Sequence, residues 1–177
     1  MAQLTTTLSD AAEDLNYGDV YYTVFPIPHE VVAQLLEREE NASRVICHIN
    51  GSGSIHSGLM PDGKGNFFIT VSKAVRERFG LVLGDRVALE LLPDASTYGI
   101  PLPAEVAELW DIDPAAYAVF HRLTPGKQRS LLYQIDKLKG LEARAKKAVQ
   151  IHDYLKSVDG KLDYRELNAY IKADNRR

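Results

Sequence analysis

The chain has 177 residues, and few of them are of types that do chemistry on their own. Its five histidines, His29, His48, His56, His121 and His152, form no pair three or four apart and no H-E-x-x-H arrangement, so no helix face offers two imidazoles to one metal ion. Cys47 is the single cysteine, which removes an intramolecular disulfide and a multi-thiolate zinc site. Its place in the apolar run Arg44–Ile49 suits core packing, and its neighbour His48 points to the opposite face of a strand. The cluster Ser52, Ser54, His56 and Ser57 holds hydroxyls and an imidazole together and is the one local motive for a small-molecule enzyme. No nucleophile signature accompanies it. The expectation is therefore a protein that is not an enzyme, without metal or cofactor.

Three motifs imitate ligand sites. Gly58 to Gly65 fits G-x-x-x-x-G-K, but the magnesium-holding Ser or Thr is replaced by Gly65. The following Asn66-Phe67-Phe68-Ile69 is strand-like where a phosphate loop needs a helix N-terminus, so a hairpin turn is expected. Gly51-x-Gly53 opens a dinucleotide fingerprint, but His56 holds its third glycine position and no helix follows. Ser157 to Glu166 resembles the second part of a calcium loop, yet Leu155 and Ser157 occupy the first and third ligand positions. Gly160 as a helix stop and Asp163 with Glu166 as a capping-box-like start account for this segment without metal.

The cations carry the other candidate site. Residues 1–120 hold 7 Lys/Arg and 17 Asp/Glu, a net charge of −10, whereas residues 121–177 hold 14 and 7, a net of +7. A polyanion would meet the tail first, because steering follows the local field. Lys137, Lys139, Arg144, Lys146 and Lys147 form its densest stretch, with Tyr133 the nearest base-stacking aromatic. The bland alternatives are a solvated helix face and attraction between the two oppositely charged halves. Lys73, Arg76, Arg78 and Arg86 are a secondary set, opposed by the acidic balance around them.

The elements that must position these residues follow from periodicity and punctuation. Residues 1–18 have few large apolar side chains and are expected to be a disordered lead-in. Val20 to Phe25 reads as a strand ended by Pro26, and a helix starts at Pro28 with Val31, Val32, Leu35 and Leu36 on one stripe. Further strands are expected over Arg44–Ile49, Ile55–Met60, Asn66–Val71 and Arg86–Leu91. Ser72 caps a two-turn helix stopped by Gly80, and Gly84-Asp85 turns the chain into the last strand. Ile27 to Val31 parallels Val71 to Val75, and Ser43-Arg44-Val45 parallels Asp85-Arg86-Val87, so the region contains a strand–helix–strand duplication. Helices follow over 104–110, 114–122, 125–139, 142–156 and 164–172, with Leu131, Leu132, Ile135, Leu138 and Leu141 supplying an apolar stripe.

The second repeat, with Lys73, Val75, Arg76, Gly80, Leu81, Gly84 and Asp85, resembles the swapped-hairpin element of the AbrB/MazE bacterial regulators. That resemblance implies a double-split β-barrel, here with both halves in one chain, and nucleic-acid binding as an alternative function. A longer stretch, Tyr22 to Val149, resembles the bacterial YdeI/OmpD-associated proteins through Asn50-Gly51, Leu59-Met60-Pro61, Pro101-Leu102-Pro103, Asp113-Pro114 and Leu123-Thr124-Pro125. It departs at Gly126, Leu131 and Ala143, where that family has serine, tyrosine and threonine, which weakens transfer of a tail-based role. The expected fold class is α+β: lead-in 1–18, split barrel 19–100, and helical basic region 101–177. The expected function is that of a non-catalytic binding or regulatory protein, cytoplasmic, with a protein or polyanion partner. No membrane association is expected, nucleic acid is not the favoured partner, and the state is a monomer or weak homodimer.

Overall fold

A computed structural model describes residues 1–10, 23–37 and 43–176. The chain divides into two compact units, Met1–Ala95 and Ser96–Arg177.

The first unit contains β1 (Ala2–Thr7), β2 (Ser9–Asp10), β3 (Thr23–Ile27), α1 (His29–Leu36), β4 (Arg44–Ile49), β5 (Gly53–Gly58), β6 (Met60–Pro61), β7 (Phe67–Val71), α2 (Lys73–Phe79) and β8 (Arg86–Pro93). They make two antiparallel four-stranded sheets, ordered β1-β8-β4-β5 and β2-β3-β7-β6. The expectation of a disordered lead-in fails over residues 2–10, which form β1 and β2; the rest of 1–18 lies outside the described residues. Thr5, Thr6 and Thr7 supply the β-branched character of β1, and its whole length is paired to β8. Likewise 20–22, the start of the expected strand, lie outside the described residues, and Pro26 lies within β3. Pro26 stands opposite Phe68 of β7, and β2 pairs only with Thr23 and Val24, so the proline sits where β3 has a partner on one side only. Pro28 caps α1 as the residue before its first turn.

The register shows an internal duplication. Aligning Ile27 with Val71 makes Phe25 equivalent to Ile69, and these two stand opposite each other; Thr23 faces Val71 and Ile27 faces Phe67. Aligning Arg44 with Arg86 makes His48 equivalent to Glu90, which also face each other, with Cys47 opposite Leu91 and Ile49 opposite Leu89. Both central ladders therefore map onto themselves when the halves exchange, as an approximate twofold axis requires. The outer strands obey the same operation. Thr7 faces Arg86 as Gly58 faces Arg44, and Ser9 faces Val24 as Met60 faces Phe68. The N–H groups of Leu8 and Leu59 donate to the carbonyls of Asp85 and Ser43 at 2.9 and 2.7 Å. One repeat is β1-β2-β3-α1-β4 and the other β5-β6-β7-α2-β8.

Alternation decides which side chains fill the core. In β4, Val45, Cys47 and Ile49 are fully buried while Arg44, Ile46 and His48 lie on the other face. Burial pushes the Cys47 thiol up to about 12, so it packs as a small apolar group and carries no thiolate chemistry near neutral pH. In α2 the Ser72 hydroxyl accepts the Val75 N–H, and Gly80 takes the left-handed conformation (φ 64°) that closes the helix. Gly84 (φ 89°) makes the next turn, donating its N–H to the Leu8 carbonyl at 2.9 Å. The phosphate-loop imitation is the β6–β7 hairpin, in which the Asp62 carboxylate accepts the N–H groups of Lys64 and Asn66 and is held below its ordinary range by them.

The second unit is helical among its described residues: α3 (Ala104–Ile112), α4 (Pro114–His121), α5 (Pro125–Asp136), α6 (Leu141–Ser157) and α7 (Tyr164–Asp174). Asp113 caps α4 through the Ala116 N–H, and Asp163 caps α7 through the N–H groups of Arg165 and Glu166. The capping box is completed by a third residue. Glu166 does not reach back; the Tyr154 hydroxyl sits between, bonded to the Glu166 carboxylate and accepting the Asp163 N–H. This accounts for the calcium-loop imitation, and no group of three metal-ligating side chains occurs among the described residues. Phe120, Leu131, Leu132, Ile135, Ile151 and Leu155 are the fully buried large side chains of this core. Trp110 lies against them and donates its indole N–H to His152 Nε2 at 2.9 Å, while His152 Nδ1 donates to the Ala148 carbonyl at 2.7 Å. That pair of bonds fixes a neutral imidazole, and burial holds its pKa below the ordinary value. No helix among the described residues is long and apolar enough to cross a membrane.

Candidate functional site

The basic stretch of the tail falls on the turn from α5 to α6. Lys137 ends α5, Lys139 lies in the turn, Gly140 opens α6, and Lys146 and Lys147 lie two turns along it. The structure separates the five predicted cations by role. Arg144 is turned inward: its Nε and Nη2 both lie 2.7 Å from Glu105 Oε1, and the Glu105 side chain is only 5% exposed. The bond holds the Glu105 carboxyl below its ordinary range and raises Arg144, so this cation fastens α6 to α3 and is withdrawn from the site. Lys137, Lys139 and Lys146 are exposed, Lys147 is half-buried, and none of the four makes an ion pair among the described residues. Partial burial, and then the Lys137 ammonium, lower the pKa of Lys147, which places those two charges in one field. Elsewhere in this unit Arg122 pairs with Asp159, and Lys156 lies 2.6 Å from Asp113 and 3.0 Å from Asp153, whereas Lys127, Lys161, Arg165, Lys172 and Arg176 also make no ion pair among the described residues but are scattered along the chain. Tyr133, Leu141 and Val149 are exposed apolar side chains from the same two helices.

The secondary cations do not converge. Lys73 pairs with Glu77 along α2 at 3.7 Å, Arg76 has a buried Nε without a hydrogen-bond acceptor, and Arg78 lies over the Phe79 ring at 4.9 Å. Residues two apart on a helix face different ways, so Arg76 and Arg78 cannot share a phosphate, and Arg86 is on β8.

A polar strip that periodicity did not single out crosses the sheet of β1, β8, β4 and β5. Gln3, Glu90, His48 and Ser54 stand in one row, each opposite the next. Gln3 Nε2 reaches Glu90 Oε1 at 3.5 Å, and an open groove of about 590 Å³ is lined there by Gln3, Thr5, His48, Ala88 and Glu90 among others. Toward the end of β5, His56 Nδ1 is 2.9 Å from Asp94 Oδ2, a carboxylate with no exposed surface. Alternation in β4 was enough to put His48 on the outer face. The row needed the register, and the His56–Asp94 contact joins residues 38 apart in the chain. Of the serines noted beside His56, Ser57 is buried and donates to the Gly58 carbonyl, so the cluster does not gather on one face.

A duplicated antiparallel β unit followed by a helical unit is the class this fold defines. Residues 10–91 match the model of a domain of unknown function, DUF1905, and residues 100–157 match the model described as Bacteriocin-protection, YdeI or OmpD-Associated. Together the two matches run over most of the chain and match the YdeI/OmpD-associated family with a leading domain. No curated protein and no solved structure is significantly similar to it. The first match begins at residue 10, after β1, so the strand that completes the first repeat lies outside it.

Proposed function

We propose that the protein is a non-catalytic binding protein whose helical unit engages an anionic partner through Lys137, Lys139, Lys146 and Lys147. The observation that carries this is the grouping of four cations without carboxylate partners on one helix–turn–helix segment, two of them close enough for Lys137 to lower the pKa of Lys147, with Arg144 alone withdrawn by Glu105. Uncompensated like charges repel, and an anionic ligand relieves the repulsion. Asp136 and Glu142 on the same two helices moderate the field, which favours a partner of high charge density. The β unit acts as the accompanying scaffold. Its self-mapping ladders support a double-split barrel of the AbrB/MazE kind closed within one chain, while its scattered cations do not support nucleic-acid binding by that unit.

The experiment measures association of the full chain with mixed-sequence duplex and single-stranded DNA at two salt concentrations. A variant with all four lysines changed to glutamine, and Arg144→Gln as a comparison, are measured beside it. Four phosphate contacts give a slope of log K against log salt of about −3 to −4, which the quadruple variant loses. Arg144→Gln keeps the slope and loses thermal stability. Binding that ignores salt, or that survives in the quadruple variant, refutes the site. No association with either DNA removes nucleic acid and leaves an acidic protein surface as the partner.

A further inference from the structure

The polar row on the β unit is independent of the lysine turn. His48 and Glu90 are equivalent by the duplication and stand opposite each other on the twofold axis; Gln3 and Ser54 are equivalent and flank them. The two repeats have thus placed a carboxylate on one side of the axis and an imidazole on the other. The groove over them has Ala88 as floor and Thr5 and Gly51 among its walls, and no Lys or Arg lines it. Glu90 is half-buried and forms no ion pair among the described residues; its one hydrogen bond, from Gln3, is at the limit of range. The His48 and Ser54 side chains make no hydrogen bond among the described residues. Residues 1–95 carry 7 Lys/Arg and 13 Asp/Glu, a net of −6, so the surrounding field also favours a cation. One carboxylate and one imidazole are too few ligands for a metal ion.

We infer that this groove binds a small organic cation carrying a guanidinium or primary ammonium group. Its N–H donors are taken by the Glu90 carboxylate and the Gln3 amide oxygen. The rest of the molecule lies across Ala88 toward His48 and Ser54, whose ring nitrogen and hydroxyl remain available for hydrogen bonds.

The test is a titration of arginine amide into the isotopically labelled full chain, followed by amide resonances, with citrulline amide as the neutral counterpart. Arginine amide should shift Gln3, Thr5, His48, Ala88 and Glu90 saturably, and citrulline amide should not. Glu90→Gln keeps the side-chain shape and removes the charge, which should weaken binding about tenfold, the value of one charge-assisted hydrogen bond. Ala88→Leu fills the floor without touching a charge and should weaken it too. Shifts absent from these five amides, shifts spread evenly over acidic surface residues, equal shifts with citrulline amide, or an unchanged affinity in Glu90→Gln each overturn the inference. Should Glu90→Gln lose its native spectrum, the wild-type shift map and Ala88→Leu decide by the same criteria.

Discussion

Leu8 and Leu59 occupy equivalent places in the two repeats, each between a long and a short strand, and are 0% and 4% exposed. Changing either to alanine removes three carbons from the core, about 2.4 kcal/mol of transfer free energy at roughly 0.8 per methylene. The incompletely collapsed cavity adds to this, bringing each variant to about 3 to 4 kcal/mol. Alanine keeps the backbone N–H, so the bonds to Asp85 and Ser43 are not the cause. At about 4 to 8 °C per kcal/mol for a unit of this size, the midpoint should fall by about 12 °C or more. Urea unfolding followed through amide resonances of β3, β4, β7 and β8 measures both variants on the same probes. The duplication requires similar costs. A loss below about 1 kcal/mol for Leu8→Ala beside a full loss for Leu59→Ala would mean that β1 and β2 are not integral, and the internal symmetry would be refuted.

Gly84→Val forces a β-branched residue to a φ of 89° with nothing within 4 Å of the new Cβ, so its cost is backbone strain alone, about 1 to 3 kcal/mol. An unchanged urea midpoint would show that this turn relaxes freely. His152 has a folded-state pKa below its ordinary 6.5, so the unfolded chain takes up the proton first. The stability it contributes is complete above about 6.5 and is lost as the pH falls through the folded value; His152→Phe should flatten the stability profile on the acid side of about pH 6.5. Parallel profiles for wild type and variant would remove His152 as the cause.

The helices of the second unit were legible because each carries its own punctuation: Asp113 and Asp163 as caps, Pro125 in a first turn, Gly140 before α6. Their ends lie within three residues of the expected ones. The same holds for α2, where Ser72 and Gly80 bracket the helix in sequence. β1 was hidden for the opposite reason. Ala2 to Thr7 contains one large apolar residue, Leu4, and its stability comes from pairing with β8, which no local pattern reports. The repeat was visible from Ile27 onward, but its first two strands were not, since Gln3 and Ser54 are equivalent in register and unlike in chemistry. At the lysine turn, charge density in the sequence groups five cations but cannot show that Arg144 bonds Glu105, because that partner lies 39 residues earlier. The His48–Glu90 row depended wholly on which strand lies beside which.

Trp110 is the only tryptophan in the chain, and it belongs to the helical unit. Indole fluorescence therefore reports from within the core of that unit. Its hydrogen bond to His152 adds chemical meaning to the signal. The bond requires an unprotonated Nε2, so protonation breaks it and leaves an imidazolium beside the indole. The chain thereby carries an intrinsic optical probe of the protonation state of its own core.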